Sequence, residues 1–145
     1  MFTFLKKLFS KSSTNSLPAN PLWDALIVGK IIKAEKHPNA DRLKVCTVDC
    51  GSETRTIVCG GVNVREGMLT VVGKPGVKVH LGGEAELTEL KPAVIRGVAS
   101  DGMLCGPDEI ELNDRFPKKE AKEIIDLSSL NCTPGTTLSQ ALAQK

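Results

Sequence analysis

The sequence has very few aromatic residues. Among its 145 residues there is no Tyr and one Trp, and three of the four Phe lie near the amino terminus, at Phe2, Phe4 and Phe9. Proteins that bind single-stranded nucleic acid usually stack successive bases on aromatic rings. The scarcity of rings argues against such a platform and, if the protein binds nucleic acid, favours recognition of the backbone shape.

The cysteine pattern is not typical of a metal site or a disulfide framework. The five cysteines are odd in number, contain no C-x-x-C pair and mostly alternate with branched apolar residues. They are Cys46, Cys50, Cys59, Cys105 and Cys132. We expect them to be buried thiols in a reducing compartment, which predicts a cytoplasmic protein. The alternative is a zinc site, with Cys46, Cys50, Cys59 and either His37 or His80 as ligands.

Signatures of catalysis and of membrane insertion are missing as well. The sequence has no glycine-rich loop of the nucleoside-triphosphate type, and no pair of acidic and basic catalytic groups stands out. Its apolar runs are too short for a membrane span. These features predict a binding protein without enzymatic activity, cofactor, metal or transmembrane segment.

The amino-terminal region differs in composition from the rest. Residues 1–11, MFTFLKKLFSK, place Phe2, Leu5 and Phe9 near one helical face. Such a segment can dock on a protein partner, rest on an anionic membrane surface or pack on its own domain, and the sequence leaves these alternatives open. Residues 10–21 are rich in Ser, Pro and Asn, so residues 1–24 are predicted to be a flexible arm and linker.

Short segments rich in branched residues follow the linker. Strands are predicted over residues 26–34, 43–48, 54–59, 69–72 and 94–98, separated by turns of Gly, Pro, Asn and Asp. Five short strands without a long helix predict an all-β protein whose sheet closes into a small barrel, because closure removes the exposed edges. Thr137 and Gln140 have capping-box spacing, which predicts a helix over residues 138–143. The predicted domain spans residues 25–112, and residues 113–145 form an extension with a short strand and this helix, packed on the barrel.

The net charge of +2 is small, but it is unevenly distributed. Residues 30–65 carry seven basic against four acidic side chains, whereas residues 106–145 carry five against seven. A basic first half and an acidic tail predict a one-sided electric field and salt-dependent binding of a polyanion. The alternative is that these charges are ordinary solvated side chains.

Three motifs carry further information. They are HPNADRLKV at residues 37–45, IVCGGVN at residues 57–63 and KPAVIRGVASDGMLC at residues 91–105. In the last, a cation at Arg96 precedes a turn that ends in Met103 and Leu104. A cation beside a small hydroxyl and an apolar side chain can hold a phosphate while packing on a sugar or base.

Together, in this order, the motifs resemble the tRNA-binding OB-fold domain that is appended to aminoacyl-tRNA synthetases and also occurs freestanding. The likeness is strongest to the amino-terminal domain of the bacterial phenylalanyl-tRNA synthetase beta subunit and covers roughly residues 25–112, with a fainter continuation through residues 124–127 and 134–136. The resemblance implies a five-stranded OB-fold barrel that binds folded tRNA and aids aminoacylation. It also implies that the last motif faces the outer corner of the tRNA.

The resemblance carries over to individual residues. Arg96 matches the Arg-Gly-Val element of the family, and Ser100, Gly102 and Met103 match its Ser-x-Gly-Met element. The predicted RNA-binding residues are Arg42, Lys44, Asn63, Lys91, Arg96, Ser100, Gly102 and Met103. Four of these residues have a structural alternative: Arg42 and Lys44 as solvated cations of a hairpin, Asn63 as a turn residue, and Met103, together with Leu104, as a plug for the barrel.

Two other functions remain open from the sequence. The barrel can be a protein-interaction module, tethered by residues 1–11 to an aminoacyl-tRNA synthetase or another protein. It can also be a small cytosolic chaperone, because some freestanding members of the family are described as export-related chaperones. The preferred tRNA and the oligomeric state are not determined by the sequence.

Overall fold

The computed structural model describes residues 20–143. The predicted amphipathic segment and most of the predicted linker lie outside these residues. The elements are a helical turn α1 (Pro21–Asp24), strands β1 (Ile27–Lys36), β2 (Lys44–Asp49), β3 (Thr54–Cys59), β4 (Leu69–Gly73), β5 (Lys78–Val79), β6 (Thr88–Glu89), β7 (Ala93–Ile95), β8 (Val98–Ser100) and β9 (Met103–Leu104), and helix α2 (Leu138–Ala143).

Five of the strands form one antiparallel sheet in the order β3-β2-β1-β4-β9. The sheet curls until its two edges meet, where the Asp101 backbone N–H donates to the Thr56 carbonyl at 2.8 Å. A register shift in β1 between Ile31 and Lys33 bends this long strand as it passes from one neighbour to the other. The predicted all-β, five-stranded barrel is confirmed.

Alternation along the strands produces two apolar clusters. In β4, Val72 belongs to the cluster inside the barrel, with Ile31 and Met68, because successive side chains of a strand point to opposite faces. Its neighbour Val71 faces the other way, into a cluster shared with Leu127 of the carboxy-terminal extension. The extension therefore covers one outer face of the barrel and shields it from water.

The extension is held by hydrogen bonds spread along its length. The backbone N–H groups of Ile125 and Leu127 donate to the carbonyls of Cys105 and Leu69, and the Thr70 hydroxyl donates to the Ile125 carbonyl. Among residues 113–143 the structure has no strand, and residues 124–127 instead lie on the barrel through these isolated bonds. The predicted helix is confirmed as α2, and its capping box is present: the Gln140 N–H donates to Thr137 Oγ1 at 3.2 Å, and the Thr137 N–H donates to Gln140 Oε1 at 3.4 Å.

The prediction of a fifth strand over residues 94–98 was wrong. This segment is a hairpin in which β7 and β8 pair with each other and the chain reverses at Arg96 and Gly97. Both residues have positive φ, 52° and 90°, which is the backbone of a tight two-residue turn that suits the twist of paired strands. The strand that completes the barrel is β9, over Met103–Leu104.

The chain is already packed at residues that the sequence assigned to the flexible arm. Asn20 caps α1 by accepting the Leu22 N–H at 3.0 Å. The Trp23 indole N–H donates to the Ile110 carbonyl at 2.7 Å, and its ring packs against the outer cluster. Among residues 20–143, no helix has both the length and the apolar character needed to cross a membrane.

The cysteines are free thiols. Four are buried, as the sequence predicted, and Cys132 is half-buried. Burial disfavours the thiolate and raises the pKa of Cys46 to about 12. In the part of the chain that the structure describes, no group of three or more His, Cys, Asp or Glu side chains is arranged to hold a metal.

Candidate nucleic-acid interface

The loop between β1 and β2 is attached to the β7–β8 hairpin through His37, which is buried. Its Nδ1 accepts the Asn39 backbone N–H at 2.9 Å, and its Nε2 lies 2.9 Å from the Ile95 carbonyl. Since Nδ1 is an acceptor and a carbonyl can only accept, the ring proton is on Nε2. His37 thus stabilises the packing of the β1–β2 loop on the hairpin, with both ring nitrogens engaged within the protein.

A second bond reaches the tip of the same hairpin. Asn39 Nδ2 donates to the Arg96 carbonyl at 3.0 Å. The Arg96 side chain is exposed, and the residue has a left-handed backbone that is uncommon for a residue other than glycine. The fold therefore places a cation at a turn whose conformation is set by its neighbours, beside the loop that carries Arg42.

Ser100, predicted to contact RNA, is instead buried and already bonded. Its hydroxyl accepts the Val58 backbone N–H at 2.9 Å and lies 3.3 Å from the Gly102 carbonyl, to which it donates. The hydroxyl thereby joins the motif at residues 91–105 to β3 at the seam of the barrel. Its geometry gives Ser100 a structural part in shaping the loop.

Asp101 follows Ser100 in the same loop. In the structure its carboxylate lies 2.7 Å from Arg55 Nη1, and Arg55 also pairs with Glu53 at 2.7 Å. Arg55 thus balances part of the charge of Asp101 and fastens the loop to β3.

Gly102 and Met103 complete the loop. Gly102 has a φ of 132°, and a Cβ built there would lie 2.8 Å from the Gly73 carbonyl oxygen, so any side chain would clash with backbone. Met103 is half-buried and packs against the outer cluster, whereas Leu104 is buried in the barrel, which agrees with its expected role as a plug. The accessible part of Met103 lines a groove with Gly60 and Lys122.

A cavity of about 700 Å³, which we name the basic groove, opens at the start of β2. It is lined by four cations, one carboxylate and the apolar side chains of Leu43 and Val62. The cations are Lys36, Arg42, Lys44 and Lys122, and the carboxylate is Asp41. Two of the four predicted cations, Arg42 and Lys44, thus line one groove. Lys44 Nζ also donates to the Val64 carbonyl at 3.2 Å.

Asn63 holds the extension in place. Its Nδ2 donates to the Ile124 carbonyl and its Oδ1 accepts the Ile124 N–H, both at 2.9 Å. The side chain thus imitates a strand neighbour for a residue 61 positions away. Both of its polar atoms are engaged within the protein.

Lys91, the remaining predicted residue, is exposed and precedes β7. Three residues of the candidate site were not predicted from the sequence. Lys36 and Lys122 line the basic groove, and Asn39 joins two loops. Asn39 lies in a turn of the chain, and its amide binds the Arg96 carbonyl, which is 57 residues away. The sequence gives no signal for this contact. Lys122 lies among residues 106–145, where acidic side chains outnumber basic ones. The charge count of this region therefore gave no reason to expect a phosphate-binding residue there.

The chain is similar to several known proteins. A family model described as "Putative tRNA binding domain" matches residues 26–129. The chain is 49% identical over 90 residues to the phenylalanine–tRNA ligase beta subunit of Chlorobaculum tepidum, covering 61% of this chain and 11% of that protein. It is 42% identical over 106 residues to the same subunit of Wolinella succinogenes, covering 72% of this chain and 12% of that protein.

Similarity extends to a shorter protein and to a solved structure. The putative tRNA-binding protein YtpR of Bacillus subtilis is 46% identical over 93 residues, which cover 64% of this chain and 44% of that protein. The crystal structure of the MetRS related protein from Pyrococcus horikoshii superposes with a TM-score of 0.51 at 25% identity, covering 77% of this chain and 86% of that one. The chain thus spans about an eighth of the ligase subunits and less than half of YtpR.

Proposed function

This chain belongs to the "Putative tRNA binding domain" family, and we propose that it binds folded tRNA through phosphate and sugar contacts without catalysing a reaction. The observation that carries the proposal is the joining of two loops by His37 and Asn39. It sets the β1–β2 loop, with Arg42, beside the β7–β8 hairpin, with Arg96. In OB-fold barrels the loop after the first strand and the loop before the last are where nucleic acid binds.

The few aromatic rings support recognition of shape. Two aromatic residues lie in the described part of the chain, and both serve the fold: Trp23 bonds to the Ile110 carbonyl, and Phe116 packs against the outer cluster. Both rings are half-buried, and two isolated rings do not make a platform on which several successive bases can stack. Exposed cations that contact phosphates recognise a folded backbone with little dependence on base sequence.

The exposure of each predicted side chain indicates whether it can contact RNA. Arg42, Lys44, Arg96 and Lys91 are exposed and supply the phosphate contacts of the proposal. The accessible part of Met103 supplies an apolar contact to a sugar or base. Ser100 and Gly102 act by shaping the loop that presents Met103, since the Ser100 hydroxyl is bonded to β3 and Gly102 has no side chain.

The experiment is a titration of this protein with folded tRNA, an RNA hairpin and a single strand of equal charge. Folded tRNA should bind most tightly. If about three to five phosphates are contacted, affinity should fall by about one to three orders of magnitude between about 50 and 200 mM salt. A flat salt response, or a preference for a pyrimidine single strand, would contradict the proposal.

The proposal also includes the organisation of the chain and its setting. Residues 25–112 form the binding domain, residues 113–145 an extension packed on it, and residues 1–24 an arm that tethers the domain to an aminoacyl-tRNA synthetase or another protein. The free thiols favour a cytoplasmic location. Co-purification of a synthetase with the full chain, lost when residues 1–11 are deleted while tRNA binding is kept, would support the tether; equal recovery would contradict it.

A further inference from the structure

We propose that the carboxy-terminal extension completes the RNA-binding surface: Lys122 is a phosphate-binding residue of the basic groove, and Asn63 is the residue that positions it. The inference rests on the proposed function and adds a second segment of the chain to the site. It differs from the expectation drawn from the sequence, in which the acidic tail took no part and Asn63 contacted the RNA.

Bonds at Lys122 and two residues after it hold this part of the backbone on the barrel. The Val62 N–H donates to the Lys122 carbonyl at 3.1 Å. Two residues later, the reciprocal bonds between Asn63 and Ile124 fix the chain again, and the Ile124 side chain is buried in the barrel cluster. Consecutive residues of the barrel, Val62 and Asn63, thus hold the segment from which the Lys122 side chain enters the groove.

The groove gathers its charge from the two ends of the β1–β2 loop and from the extension, which is distant in sequence. Lys36 ends β1, Arg42 and Lys44 stand at the start of β2, and Lys122 comes from the extension. Asp41, the one carboxylate among the residues lining the groove, lies 3.6 Å from Lys36 Nζ. The remaining excess of positive charge is the electrostatic footprint of a site for a polyanion.

The apolar part of the lining indicates which polyanion fits. Val62 is 53% exposed and lies beside Leu43 in the same groove. An exposed branched side chain between cations provides a surface for a ribose or base face while the flanking phosphates meet the cations. This combination suits a phosphodiester backbone better than an isolated inorganic phosphate, which would use the cations alone.

Asn63 is held in place because Ile124 engages one N–H of its amide nitrogen and one lone pair of its amide oxygen. Removal of the amide would release the chain next to Lys122 and allow the Lys122 side chain to leave the groove. Asn63 therefore acts through Lys122. Its effect on RNA binding should vanish when the Lys122 amine is already absent.

The test measures the affinity of the full chain for folded tRNA at about 50 and 200 mM salt. Lys122→Ala should weaken binding about three- to fivefold at the lower salt and reduce the salt slope by about one. Lys122→Arg should retain affinity and slope. The matched control is Lys78→Ala, which removes the same charge from β5. Lys78 lines a different groove, together with Leu22 and Leu87, so this change should leave the affinity and the salt slope nearly unchanged.

A double-mutant comparison tests the positioning role. Asn63→Ala should weaken binding as Lys122→Ala does, and the double variant should bind like Lys122→Ala alone. If the loss of affinity in the double variant equals the product of the two single losses, Asn63 acts independently of Lys122, and the positioning role is overturned. Circular dichroism checks that the variants are folded; if Asn63→Ala unfolds, the comparison uses Asn63→Ser, which removes the amide without adding a charge beside the groove.

Failure of this inference is distinguishable from failure of the proposed function. If the unaltered protein does not bind folded tRNA, the proposed function is wrong. If it binds and Lys122→Ala matches the Lys78→Ala control in affinity and slope, tRNA binding stands and the extension has no part in it. If Lys122→Ala weakens binding of inorganic phosphate and of tRNA equally, the groove is a simple anion site and the assignment to a phosphodiester backbone is overturned.

Discussion

The Ser100 hydroxyl accepts the backbone N–H of Val58, 42 residues away, at a distance of 2.9 Å inside the protein. This bond closes the barrel seam beside the one from Asp101 to Thr56. Ser100, which belongs to the motif that resembles an RNA-binding loop, therefore stabilises the fold. The loop can present Met103 to a ligand because Ser100 holds its base.

The first prediction concerns this bond. Ser100→Ala should lower the free energy of unfolding by about 1 to 3 kcal/mol, because the buried Val58 N–H loses its acceptor. Urea denaturation measures the effect, with Ser52→Ala on an exposed bend as the control, expected within about 0.5 kcal/mol of the unaltered protein. Unchanged stability together with a weaker affinity for tRNA would show that the hydroxyl faces the ligand.

Arg96 should show the opposite behaviour. Arg96→Gln keeps most of the side-chain length but removes the charge, so affinity for all folded tRNAs should fall about equally and the salt slope should decrease by about one. Thermal stability should stay nearly constant, because the side chain is exposed and the Asn39 bond goes to the backbone carbonyl. Arg96→Lys, which retains the charge, is the control. A loss of stability without a change in affinity would refute the assignment.

Met103 has a half-buried side chain, so it should affect both properties. Full burial of a methionine makes its replacement by alanine cost about 2 to 5 kcal/mol, and half-burial should cost about half as much, or about 1 to 2.5 kcal/mol. Met103→Ala should also weaken tRNA binding per folded molecule. Leu104→Ala is the comparison: it should cost more stability and leave the affinity of the folded fraction unchanged. Equal behaviour of the two variants would argue that Met103 is only a plug.

The pair formed by His80 and Glu111 predicts a pH dependence of stability. His80 Nε2 lies 2.7 Å from Glu111 Oε2, and Nδ1 lies 2.9 Å from the Glu84 carbonyl. Since both partners can only accept, the geometry suits the imidazolium. The hydrogen bond to Glu111 raises the pKa of His80 above its ordinary value of 6.5, and the same bond lowers the pKa of Glu111 below 4.5.

The signs follow from these directions. A raised histidine pKa adds stability that is complete below about pH 6.5 and is lost as pH rises through the higher value in the folded state. A lowered glutamate pKa adds stability that is present above about pH 4.5 and is lost as pH falls through the lower folded value. Melting temperatures of the unaltered protein and His80→Gln should differ most near pH 5.5 and converge at alkaline pH. A difference that is constant with pH would contradict the prediction.

Local patterns were sufficient for much of the fold. Four barrel strands follow from short runs of branched residues between turn residues, because period-two alternation is a property of neighbours in sequence. The capping box of Thr137 and Gln140 likewise predicted α2, since its bonds span three residues. The fifth strand was misplaced because Arg-Gly is not a strong turn signal; only pairing across the hairpin shows that Arg96 takes a left-handed backbone.

The candidate site divides in the same way. The sequence by itself determined the barrel and the presence of cations in the two loops, since both depend on residue type and near neighbours. The tertiary structure alone decided that Ser100 closes the seam, that Asn63 holds the extension and that Lys122 joins Arg42 and Lys44 in one groove. These roles depend on contacts between residues tens of positions apart. Whether a polar side chain binds a ligand or its own protein is settled by which distant partner the fold brings within hydrogen-bond reach.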